Sequence, residues 1–255
     1  MNSLRALLSA ILILSLSHCT TFEDRSACGC RLALNLDRVS EVLHPENALR
    51  LALDGPDGFS LSERLYSPDD GSPWSMMIRV PNGEYILSAA TASLHIPTGE
   101  ESPPLYLCRV PLDASGESLT HTVIVHKNYC LLTLVIKSAE GGEYPYSLDI
   151  EGNVDGCEAD GTPTVGPFRV TAVPRVDGIV NVRIPRQADN SLTVSFTLGE
   201  NHLITFALGQ YIAASGYDWT APDLDDITIE IDWASTTLTF TIDAWTTVLP
   251  LDVWL

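Results

Sequence analysis

The chain has 255 residues, 45% of them hydrophobic, with 16 Pro and 17 Gly scattered along it, which is the composition of a folded protein with room for a full core and excludes a disordered one. Fourteen Lys and Arg stand against 33 Asp and Glu, for a formal charge of −19. A field of that sign repels phosphate backbones, so nucleic acid is excluded as a partner, and it argues against a body lying flat on anionic lipid.

The N-terminus carries an address. Arg5 gives a short basic start, an apolar run covers Leu7 to Leu16, and Leu16-Ser17-His18-Cys19 sits where a lipobox belongs. The run is shorter than the ~20 apolar residues of a bilayer-spanning helix. Residues 1–18 are therefore expected to be a cleaved leader, Cys19 the lipidated residue, and 19–30 a tether. His18 departs from the small residue usual before such a cysteine, and an ordinary secretory leader is the alternative; both place the mature chain outside the cytoplasm. Losing Arg5 with the leader takes the charge from −19 to −20. Cys28, Cys30, Cys108, Cys130 and Cys157 then remain, and an oxidising compartment predicts one or two disulfides of open connectivity and at least one free thiol. Cys28 and Cys30 are too close together for a structural zinc site, and no second close pair exists.

Beyond residue 30 the hydrophobic period is two. Leu32, Leu34 and Leu36 share a face, as do Leu49, Leu51 and Leu53. Trp74 to Val80 and Tyr85 to Ala89 alternate on either side of Pro81-Asn82-Gly83, which predicts a hairpin, and Leu105 to Val110 reads as a further strand. Ala114-Ser115-Gly116-Glu117 is small and polar, and a domain boundary is expected there, giving domains over 31–115 and 116–255. Strands are then predicted over 121–126, 131–137, 146–150, 168–173, 179–184 and 192–198. Ala207 to Ser215 has helical spacing and stops at Gly216. Ile227, Ile229 and Ile231, then Leu238, Phe240 and Ile242, alternate with polar residues as a half-buried antiparallel pair. The expectation is an all-β protein of two tandem β-sandwich domains.

No nucleophile elbow, phosphate loop, zinc-protease helix or dinucleotide fingerprint is present, so no enzyme and no cofactor is expected. His121 and His126, read as one strand, fall on opposite faces. Asp155, Glu158 and Asp160, and Asp223, Asp225 and Asp226, lack the spacing of a calcium loop and read as turn-formers. Among five tryptophans, Trp219 follows Gly216-Tyr217-Asp218 in a loop and is the best candidate for a ring that stacks on a sugar; Trp74, Trp233 and Trp245 read as core. The apolar tail either closes its own sheet or offers Val248, Leu249, Leu251 and Val253 as a strand to a neighbouring subunit's edge.

The leader and Cys19 with Phe22-Glu23-Asp24 and Cys28, the central Lys127-Asn128-Tyr129-Cys130, and Gly216-Tyr217-Asp218-Trp219 through Asp226 to Asp232 and Trp245 together resemble the FimB-like fimbrial anchor family, lipoproteins that tether the fimbriae of Bacteroidales to the outer membrane. The resemblance implies two transthyretin-like sandwiches in tandem, a lipidated and surface-exposed N-terminus, fimbrial stalk or accessory subunits as partners, and filament assembly by strand exchange without catalysis. A surface glycan-binding lipoprotein is the competing expectation.

Overall fold

The computed structural model describes residues 29–44, 46–137, 144, 146–198, 201–232, 237–242 and 245–250. Alternation is the cause of the architecture: each period-two segment buries one face and leaves the other wet. In β1 (Cys30–Asn35) and β2 (Leu49–Asp54) every second residue is buried, as it is in β5 (Glu84–Ala90). Two sheets result in the first half. One has the order β4-β1-β7, with β4 (Ser75–Val80) antiparallel and β7 (Ser118–Thr122) parallel to β1. The other has the order β3-β2-β5-β6-β8, adding β3 (Ser60–Leu65), β6 (Tyr106–Asp113) and β8 (His126–Lys127). Leu32 and Leu34 of one sheet and Leu51, Leu53, Tyr85 and Leu87 of the other share a single core, closed at one end by Leu36, Val39 of the short helix α1 (Asp37–Ser40), and Trp74.

The second half repeats that plan strand for strand. β9 (Tyr129–Lys137) has β12 (Ile179–Pro185) antiparallel on one side and β15 (Ile227–Asp232) parallel on the other, as β1 has β4 and β7. The facing sheet runs β11-β10-β13-β14, made of β10 (Ser147–Cys157), β11 (Pro163–Ala172), β13 (Thr193–Leu198) and β14 (Asn201–Phe206), and matches β3-β2-β5-β6 in order and direction. Leu132, Leu134, Ile150, Val182, Phe196, Ile227 and Ile229 form its core, with Leu208 and Ile212 of helix α2 (Leu208–Ala214) against it. Two strands go beyond the shared seven: β16 (Thr237–Ile242) pairs with β15, and β17 (Trp245–Pro250) pairs with β16 and forms the sheet's edge.

Three sequence expectations change. Asn82-Gly83 does not close a hairpin: β4 pairs with β1 and β5 with β2 and β6, so the turn carries the chain from one sheet to the other, and the Tyr85 hydroxyl donates to the Pro81 carbonyl at 2.8 Å across it. Alternation on both flanks looks the same whether the flanks pair with each other or with strands elsewhere. The 114–117 turn carries the chain from β6 of one sheet to β7 of the other within the first half. Ala114 is buried and donates to the Gly83 carbonyl at 2.8 Å, β7 returns to β1, and pairing passes to the second half only after Lys127. A tight turn and a linker have the same small, polar composition.

Finally, Cys30, Cys108, Cys130 and Cys157 are free and buried rather than bridged. They are distributed over separate clusters, Cys30 and Cys108 in the first core, Cys130 in the second, and Cys157 in a small third cluster with Leu105 and Leu107. Cys19 and Cys28 lie outside the described residues.

Candidate functional site at the junction of the two halves

The halves are knitted along one seam, and the residues of the Lys127 to Cys130 stretch lie at its centre. Asn128 is buried, donates from Nδ2 to the Cys157 sulfur at 3.3 Å and accepts from Arg186 Nε at 2.6 Å. Arg186 also donates to the backbone carbonyls of Trp219 and Pro222. Burial lowers the Arg186 pKa, because its hydrogen-bond acceptors are neutral and its nearest anions act only from a distance. Asp223 takes the His126 Nδ1 at 2.9 Å and the Lys127 N–H at 2.7 Å, while Asp226 takes the Lys127 ammonium at 2.5 Å and the Leu131 N–H at 2.8 Å. The acidic run before β15 thus clamps β8 and the start of β9 while its Asp223 and Asp226 side chains stay more than half exposed. Tyr217 donates its hydroxyl to the Asp225 carbonyl at 2.7 Å and stacks edge-on against Trp219 with centroids 4.6 Å apart.

On the other side of the seam, His95 bridges to Gly156, and Ile96 and Cys157 donate to the carbonyls of Asp155 and Leu94. Gly156 is required there: a Cβ on it would run into the Leu94 carbonyl oxygen and lie 3.1 Å from the His95 Cα. Burial pushes the Cys157 thiol up to about 11 and the Cys130 thiol up to about 12, which keeps both protonated and unreactive.

This seam borders a cavity of ≈ 940 Å³. Its apolar surfaces come from Leu107, Val110, Ile124 and Pro222, its cations and imidazoles from Arg109, Arg186, His121 and His126, and Asp160 is the carboxylate in its lining. Arg109 lies 4.0 Å from Asp160 and keeps about half its side chain exposed. His121 and His126, expected on opposite faces of one strand, belong to β7 and β8 of different sheets and line the same cavity. Trp219 is half-buried, packs against the second core and also lines the cavity. Gln187 is buried in the same wall, its Nε2 donating to the Pro185 carbonyl at 2.8 Å and its Oε1 lying against Gly152. Among the described residues no three His, Cys, Asp or Glu side chains are placed to hold a metal ion.

Of the residues expected to form a partner strand, Val248 and Leu249 lie in β17, opposite Thr239 and Leu238 of β16, and Val248 is 61% exposed. Leu251 and Val253 lie outside the described residues, as do Trp233 and Trp254.

No protein-family model matches the chain, and no curated protein matches it. Solved structures do. A candidate polysaccharide-binding protein of Bacteroides thetaiotaomicron superposes with a TM-score of 0.62 at 12% identity, covering 86% of this chain and 98% of that one. A candidate adhesin of the same organism gives 0.59 at 13%, over 88% and 98%. The fimbrial anchor protein Mfa2 of Porphyromonas gingivalis gives 0.56 at 13%, over 86% and 99%. With a TM-score of 0.56 over 86% of this chain and 99% of the fimbrial anchor protein Mfa2, this chain has the fold of that protein, all-β in its described residues.

Proposed function

We propose that this protein is a non-catalytic fimbrial subunit, built as two tandem transthyretin-like sandwiches, held at the outer membrane through lipid on Cys19 and joined to stalk or accessory subunits by strand exchange. The observation that carries the reading is the incomplete repeat. In the second half, β15 is covered by β16 and β17; in the first, among the described residues, the equivalent β7 has no further strand beside it. Its sequence, Ser-Leu-Thr-His-Thr, has no Lys, Glu or Pro to discourage pairing. β17, at the outer edge of its sheet, carries no Asp, Glu, Lys or Arg and meets Pro only at its last residue, which supports Val248 and Leu249, with Leu251 and Val253, as the residues offered to a neighbour's strand. An acyl chain at one end and many simultaneous backbone bonds at the other suit a filament base that must resist being pulled away.

The test is Cys19→Ala in the native host, read by electron microscopy. Filaments of normal form shed into the medium are the expected result; filaments that stay on the cells in normal number would overturn the anchor reading. A second reading, glycan binding, is favoured by one specific observation: Trp219 opens onto the junction cavity.

A further inference from the structure

We propose that the junction cavity binds an acidic saccharide, with Arg109 meeting its carboxylate and Trp219 lying against a sugar ring. This rests on the glycan-binding reading and goes beyond it in naming the ligand class and the residues. Four observations converge. The cavity, at ≈ 940 Å³, sits at the upper end of the ~300–1,000 Å³ usual for small-ligand sites, which is room for more than one sugar unit. Its charge opposes that of the whole molecule. On a chain of formal charge −19, the lining gathers Arg109, Arg186, His121 and His126 against Asp160.

The donors are also divided in a way that separates structure from binding. Arg186 is committed to Asn128, Trp219 and Pro222, so it holds the seam and adds positive potential to the cavity. Among the described residues Arg109 has only the 4.0 Å approach of Asp160; it lines the cavity with about half its side chain exposed, and a guanidinium has the forked geometry that matches a carboxylate. His126, held through Nδ1 by Asp223, is a second basic side chain of the lining. The lining also holds the Gln187 amide and the hydroxyls of Thr122, Thr162 and Thr220, polar groups suited to the hydroxyls of a sugar, and Trp219 supplies the flat apolar surface that a pyranose face needs. A neutral sugar would leave Arg109 with no anion beyond the distant Asp160; an acidic peptide would make little use of the threonines.

The experiment uses the full chain, its leader removed, and titrates trigalacturonate and sialyllactose against galactotriose and lactose, followed by ligand-observed NMR, with hexaglutamate as a peptide control. Binding of the acidic sugars, weakened about tenfold or more in Arg109→Gln and also lost in Trp219→Phe or Trp219→Ala, is expected, since one charge-assisted pair is worth about that factor. Arg109→Gln touches no part of the seam, so its fold is preserved, and thermal melting of each variant checks this. Equal binding of neutral and acidic sugars would overturn the acidic class while leaving glycan binding intact. Absence of all sugar binding would overturn both, and binding of hexaglutamate in preference to the sugars would replace the saccharide with a peptide.

Discussion

Asn128 shows how one buried amide holds two halves of a molecule together. It satisfies the Cys157 thiol on one side and the Arg186 guanidinium on the other, and Arg186 in turn fixes the backbone of Trp219. Replacing Asn128 with Ala leaves Arg186 Nε half-buried without its acceptor, and the expected loss is about 2 kcal/mol, the scale of a hydrogen bond to a charged group. Urea unfolding measures it, and a loss under about 0.5 kcal/mol, the scale of an ordinary surface substitution, would mean that solvent replaces the amide. Little of this could be read in the sequence. The Lys127 to Cys130 stretch stood out, but its partners Arg186, Trp219 and Asp223 are distant in the chain, and only the fold brings them together. Asp223 and Asp226 read as turn-formers because a carboxylate that clamps a distant strand and one that caps a turn have the same local context.

At the scale of elements, period-two burial was legible wherever a strand faces a core. The pairing of Ile227–Asp232 with Thr237–Ile242, the short helix before Gly216 and the strands expected over 131–137, 146–150, 168–173, 179–184 and 192–198 appear as expected. Two edge strands were missed: β3 is mostly exposed and has one neighbour, so it is under no pressure to alternate cleanly, and β14 buries only Ile204 and Phe206 around Thr205 among its described side chains, too short a run to stand out. The contact of the 94–96 segment with β10 also escaped notice, since its only mark is a glycine. Gly156→Ala forces the Leu94 carbonyl away and should cost about 1–3 kcal/mol, as overpacking does. Hydrogen exchange would show it as faster exchange at Ile96 and Cys157, whose N–H groups bond across that contact. Unchanged protection at both would show that the contact accommodates a methyl group.

For the whole molecule, the seam couples the halves, and its stability depends on pH. Burial raises the Asp223 carboxyl, but the His126 hydrogen bond and the Lys127 N–H outweigh it, and the net shift is below the ordinary value. A lowered folded-state pKa contributes stability that is complete above the unfolded value of about 4 and is lost as pH falls through the folded value. The melting temperature should therefore drop on acidification below about pH 4, with a shallower acid limb in Asp223→Asn; equal slopes would remove Asp223 from the account. The sequence by itself determined the fold class, because burial on one face imposes a period of two whatever the partner strand. It also determined the resemblance to fimbrial anchors, through local motifs. Tertiary structure alone decided which strands pair, that Asn82-Gly83 crosses between sheets, that the first half repeats in the second without its last two strands, and that Arg109, His121, His126 and Trp219 share one cavity. Pairing and cavities are made by residues far apart in the chain, and hydrophobic period carries no information about which distant segment lies on the other side.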